Sequence, residues 1–114
     1  MDGKKLCDVN PEPVLQLDRV IHEKARLAIV STLSAAPSLS YTDLRNLLGM
    51  TDGNLTSHLR ILQEAGLVSL LKSTGEARPQ TQCVLSDAGR LAFTEYLGQL
   101  EQIVSRFRKN PPSP

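Results

Sequence analysis

Between Thr51 and Gly66 the leucines Leu55, Leu59 and Leu62 recur at four- and three-residue steps, and polar residues fill the intervals: Thr51, Asn54, Thr56, Ser57, His58 and Arg60. At about 100° per residue the leucines share one helical face. Gly53, Asn54, Ser57, Arg60 and Ile61 then fall opposite, with Thr56 and His58 on the flanks. The chemistry of such a face is hydrogen-bonded recognition. An asparagine amide matches the major-groove edge of adenine, and an arginine fork matches that of guanine. Hydroxyls and a helix N-terminus suit phosphate oxygens. The solvated side of any amphipathic helix has a similar composition, so the companion features matter. Lys72 and Arg78 flank the turn that follows this segment, placing cations where neighbouring phosphates would lie.

Other chemistries find no support. There is no nucleophile elbow, no phosphate-cradling glycine loop and no paired acid and base, so an enzyme is not expected. His22 and His58 are the only histidines, and neither has ligand spacing to a cysteine or carboxylate cluster; no metal and no cofactor are expected. Cys7 and Cys83 are far apart and read as reduced thiols.

The elements that position these residues follow from apolar period. Leu17, Val20, Ile21, Ala25, Ala28, Ile29 and Leu33 predict a helix over 17–36, closed before Pro37. A second helix, 42–49, carries Leu44, Leu47 and Leu48, with Thr42 as cap and Gly49 as a left-handed stop. Thr51 caps the third, 51–66. Two short amphipathic helices separated by so tight a turn form a helix-turn-helix pattern. The period then becomes strand-like at residues 67–71 and 81–85 around the 73–79 turn, a hairpin. Ser86 caps a last helix over 86–107.

That last helix carries Phe93, Tyr96, Leu100, Ile103 and Phe107 at alternating steps of three and four, with Leu97 and Val104 beside them. A 3-4 repeat is the seam of a helix pair. The stripe packs either along the chain's own first helix or against a second copy, and the second is the favoured reading.

The 114 residues, 40% hydrophobic and 22% charged, describe one soluble domain. Residues 1–16 read as a flexible arm, 17–107 as the domain, and 108–114 as a disordered tail. No apolar run reaches the roughly 18 residues of a membrane span, and residues 1–13 lack a signal-peptide core, so a cytoplasmic location is expected. The net charge is only +1. Between Ser38 and Leu85, Arg45, Arg60, Lys72 and Arg78 are matched by Asp43, Asp52, Glu64 and Glu76. Any basic surface must come from arrangement or from two subunits together.

The stretch T-D-G-N-L-T-S-H-L-R-I-L-Q-E-A-G-L-V (Thr51 to Val68) resembles the recognition helix and first wing strand of winged-helix regulators of the MarR and ArsR types. Glu76-Ala77-Arg78 resembles the acidic-x-Arg of the MarR wing, and Val84 to Gly89 the segment that leads into that family's dimerisation helix. The resemblance covers roughly residues 17–107. It implies an α+β, mostly α fold: a winged helix-turn-helix with a two- or three-stranded wing sheet and a long C-terminal dimerisation helix. It further implies a homodimer bound to double-stranded DNA, recognition helices in major grooves and wings along minor grooves. By position, Asn54, Thr56, Ser57 and Arg60 match helix contacts to bases or phosphates, and Arg78 matches the wing arginine. The chain departs from the pattern in its short ends and in lacking the Cys-x-Cys of ArsR metal sensors, so a small-molecule effector is an expectation without an identity. The leading expectation is a dimeric, sequence-specific transcriptional repressor. The alternative is a winged-helix module for protein–protein assembly, which the balanced charge favours.

Overall fold

The computed structural model describes residues 11–73 and 79–109. In chain order the elements are α1 (Glu12–Leu15), α2 (Lys24–Ala35), β1 (Leu39–Ser40), α3 (Tyr41–Leu48), α4 (Asp52–Glu64), β2 (Val68–Lys72), β3 (Thr81–Leu85) and α5 (Asp87–Lys109). The strands form one antiparallel sheet in the order β1-β3-β2. Register pairs Leu70 with Cys83 and Lys72 with Thr81 on one side of β3, and Leu39 with Cys83 on the other. The three-stranded form of the expected sheet is therefore the one adopted.

The first helix begins seven residues later than its apolar spacing predicted. The Asp18 carboxylate accepts hydrogen bonds from the backbone N–H groups of Val20 (2.8 Å) and Ile21 (3.1 Å), which holds residues 18–23 in a turn. Glu23 is extended (φ −148°, ψ 135°), and its side chain caps α2 by accepting from the Arg26 N–H at 2.8 Å. Leu17 and Ile21 are buried all the same, so the pattern marked core correctly and helix incorrectly. The expected N-terminal arm includes the α1 turn, and residues 1–10, with Cys7, lie outside the described residues. At the other end, Ala36 is extended ahead of Pro37, the conformation that proline favours in the residue before it.

The α3 cap is Ser40, not Thr42: the Ser40 hydroxyl accepts from the Asp43 N–H at 3.0 Å, and Thr42 lies inside the helix. Gly49 ends α3 at φ 65°, where a side chain would be strained. Thr51 caps α4, accepting from the Asn54 N–H at 3.2 Å.

Ser86 both caps α5 and ties it to the end of α4. Its N–H donates to the Leu67 carbonyl at 3.0 Å, its hydroxyl donates to the Gly66 carbonyl at 2.7 Å, and the same hydroxyl accepts from the Gly89 N–H at 2.9 Å. This seat requires a glycine at 89. A Cβ there would overlap the Leu67 carbonyl oxygen and stand 2.8 Å from Leu85 Cδ1. The helix runs to Lys109, two residues past its expected end; residues 110–114 lie outside the described residues.

One core joins every layer: Leu17, Ile21, Ile29, Val30, Leu33, Leu44, Leu55, Leu59, Leu62, Leu67, Val68, Cys83, Leu85 and Tyr96. Burial pushes the Cys83 thiol pKa up, which keeps it protonated. No helix among the described residues is long and apolar enough to cross a membrane.

Candidate nucleic-acid interface

The outward face of α4 is built from the inside. Leu55, Leu59 and Leu62 are almost completely buried and fix the rotation of the helix. That rotation exposes Thr51, Gly53, Asn54, Thr56, Ser57, Arg60 and Ile61. Asn54, Ser57 and Arg60, three residues apart, form its polar ridge. The Thr51 hydroxyl spends an acceptor site on the cap, and its O–H has no partner among the described residues.

Two expected contact residues prove to have intramolecular partners. The Thr56 hydroxyl is 2.9 Å from the Tyr41 hydroxyl, which also lies 3.0 Å from the Asp52 carbonyl and donates to it. Tyr41, at the start of α3, thereby clamps the first turn of α4. His58 leans inward: its Nδ1 is 3.3 Å from Arg26 Nη1 and 3.8 Å from Glu23 Oε1, and its side chain is 23% exposed. Arg26 in turn donates from Nε to the Val20 carbonyl at 2.7 Å. His58 is a strut between α4 and the start of α2. The backbone bond from Arg26 holds the Glu23 carboxyl below its ordinary pKa, with smaller help from the His58 and Arg26 charges.

A pairing that the sequence reading missed crosses the helix-turn-helix. Arg45 near the end of α3 places Nη1 2.8 Å from Oδ1 of Asp52, the first residue of α4. The hydrogen bond to Asp52 raises the Arg45 pKa further. The available signal was a lone arginine one turn before the stop and an aspartate directly after the Thr51 cap.

On the hairpin, Lys72 is exposed at the end of β2. Arg78, its expected partner cation, lies outside the described residues. Among the described residues no group of three or more His, Cys, Asp or Glu side chains is arranged to hold a metal.

The α5 stripe divides. Tyr96 is 1% exposed and bonds through its hydroxyl to His22 Nδ1 at 2.7 Å, so it belongs to the chain's own core and is withdrawn from the expected seam. Phe93, Leu100 and Ile103 are half-buried against the same core. Leu97, Val104 and Phe107 are exposed, Phe107 at 66%. The inner side of this stripe thus packs on the chain's own core, and its outer edge at Leu97, Val104 and Phe107 is exposed.

With α3 and α4 joined by so short a turn and the hairpin following α4 directly, the architecture is that of a winged helix-turn-helix protein. The chain belongs to the winged helix DNA-binding domain family, whose sequence profile matches residues 25–104. It is 31% identical over 85 residues to an uncharacterized protein of Methanocaldococcus jannaschii, a match spanning 75% of this chain and 92% of that one. Among solved structures it is similar to a transcriptional regulator homologue from Pyrococcus horikoshii, with 26% identity, a TM-score of 0.78, and coverage of 82% of this chain and 95% of the other. The YusO protein of Bacillus subtilis shares the fold at 18% identity and TM-score 0.67, over 92% of this chain and 72% of its own. The likeness to winged-helix regulators drawn from the Thr51 to Val68 motif therefore holds, and family and neighbour together support a DNA-binding regulator.

Proposed function

We propose that this protein is a dimeric, sequence-specific transcriptional regulator that represses by occupying a two-fold DNA site. The observation that carries the reading is the exposed Asn54, Ser57 and Arg60 ridge on a helix whose other face is locked into the core. Asn54 and Arg60 can read base edges, while Ser57 and the Thr51 hydroxyl serve phosphates. Lys72, and Arg78 by the family resemblance, serve the backbone beside the wing. A single unit reads few base pairs, and a dimer doubles them across half-sites about 34 Å apart. The exposed edge of α5 at Leu97, Val104 and Phe107 supplies an apolar face for that pairing.

The test is a salt-titrated binding assay on mixed genomic duplex DNA, followed by selection of the preferred site from a random pool. Binding should weaken steeply with salt as counterions are released. Arg60→Ala should cost about 1–3 kcal/mol on the selected site and relax preference at one position. Lys72→Ala should weaken all sequences alike and lower the salt slope by about one. Absence of DNA binding at low salt would transfer the protein to the assembly-module reading, which the near-neutral charge favours.

A further inference from the structure

We infer that Asp52 is a specificity-determining residue of the DNA surface: its carboxylate holds the Arg45 guanidinium and guards the first turn of α4, so that phosphate is admitted only by a fully seated complex. The inference rests on the DNA-binding reading and adds a role for two residues outside the contact ridge.

The geometry is specific. Arg45 Nη1 lies 2.8 Å from Asp52 Oδ1, with the two side chains 32% and 69% exposed. The remaining guanidinium nitrogens face Asn46 Oδ1, Nε at 3.4 Å and Nη2 at 3.3 Å. Each of the three guanidinium nitrogens therefore has an acceptor within the free protein, and the one charged partner is Asp52. The pair also sits where it matters. In a helix-turn-helix complex the first helix crosses the DNA backbone and the first residues of the second reach the bases. Arg45 is on the former and Asp52 opens the latter, so the pair bridges the two helices that such a complex brings to the DNA. The free N–H groups at the start of α4 would attract an anion. Asp52 places a negative charge in that field and repels any phosphate that approaches it.

Stability of the fold does not account for the pair, because exposed ion pairs contribute little. Its consequence falls on binding. Loose, sequence-independent association brings phosphates toward Asp52 while leaving Arg45 tied, so one attractive contact is missing and one repulsive contact is present. A register in which Asn54 and Arg60 find their bases can supply a phosphate geometrically fitted to Arg45, and the guanidinium exchanges Asp52 for it. This gives a physical role to the balanced charge between Ser38 and Leu85.

The experiment compares wild type, Asp52→Asn, Arg45→Ala and the double variant on two duplexes: mixed-sequence DNA, and the duplex that wild type enriches from a random pool. The Asp52→Asn change keeps the side-chain shape and leaves the Thr51 cap intact, and Asp52→Ser serves as a second variant if the first melts below wild type. Asp52→Asn should bind mixed DNA about three- to tenfold more tightly, with the log–log salt slope steeper by about one. It should gain less on the selected duplex, so the ratio between the two falls. In the Arg45→Ala background the Asp52→Asn gain should shrink. Equal gains on both duplexes, or unchanged affinity and slope on mixed DNA, overturn the inference while the DNA-binding reading stands. A wild type that binds neither duplex overturns both.

Discussion

Replacing Gly89 by alanine should have the opposite sign to the same change elsewhere in the same helix. In an ordinary helix interior, Gly→Ala stabilises by about 0.5–1 kcal/mol because the backbone has less freedom to lose. Gly98 meets that condition, since a Cβ there finds nothing within 4 Å. At Gly89 the new methyl overlaps the Leu67 carbonyl oxygen and presses on Leu85 Cδ1. Neither can give way easily: Leu67 accepts the Ser86 N–H, and Leu85 is 3% exposed in the core. Overpacking of this kind costs about 1–3 kcal/mol. Backing α5 away to relieve it stretches the Ser86 bonds to Leu67 and Gly66, worth about 1 kcal/mol each. Net of the helix-propensity gain, the loss should be about 2–4 kcal/mol, a large share of a stability of about 5–15 kcal/mol. At about 4–8 °C per kcal/mol for a domain near this size, Tm should fall by at least about 8 °C. Far-UV circular dichroism through urea and heat, at one fixed protomer concentration because dimerisation adds to stability, measures both variants. A Gly89→Ala protein as stable as wild type, or one that shifts in step with Gly98→Ala, would refute the close-approach argument.

Three further perturbations probe other contacts. Glu23→Ala should lower stability at neutral pH by about 0.5–1.5 kcal/mol through loss of the α2 cap. The Glu23 carboxyl is depressed in the folded state, so its contribution is present above the ordinary value of about 4.3 and fades as pH falls below it; the gap between wild-type and Glu23→Ala melting curves should close on acidification, and a pH-independent gap would count against the cap. Cys83 should resist thiol-labelling reagents at pH 8 in the native protein and react once unfolded, as peptide mapping can show, because its thiol is fully buried with a raised pKa. Phe107→Asp should give a folded chain that sediments as a monomer at concentrations where wild type is dimeric; a wild type that is already monomeric at micromolar concentration would remove the α5 seam.

Helix α4 was legible because all its determinants are local: leucine spacing, the Thr51 cap and the Gly66 stop. The Leu17–Glu23 segment misled for the same reason that α4 did not. Leu17, Val20 and Ile21 would be buried by a helix or by a turn, and only the Asp18 carboxylate, competing for the Val20 and Ile21 N–H groups, decides between them. The cap of α3 was misplaced by two residues although Ser40 and Asp43 already stood in the cap-to-acid spacing of a helix start. Helical periodicity puts Asn54, Ser57 and Arg60 on the face opposite the leucines, and all three are exposed. It does not give the partners of the flanking His58 and Thr56, because Arg26 and Tyr41 are distant in sequence and come near only after folding. The α5 stripe was ambiguous in principle, because a 3-4 repeat does not say whether the facing helix belongs to the same chain; Tyr96 resolves toward its own core through His22.

The seat of α5 on the end of α4 turns the last helix into a lever. Its 23 residues extend about 34 Å at 1.5 Å per residue. Ser86 and Gly89 leave no slack at the end nearest the recognition helix. In a dimer seamed toward the far end, a tilt of only about 5° swings the DNA-reading end through roughly 3 Å over that length, comparable with the step of about 3.4 Å between stacked bases. A small repacking around Val104 or Phe107, far from any base, would then throw two recognition helices out of phase with their grooves.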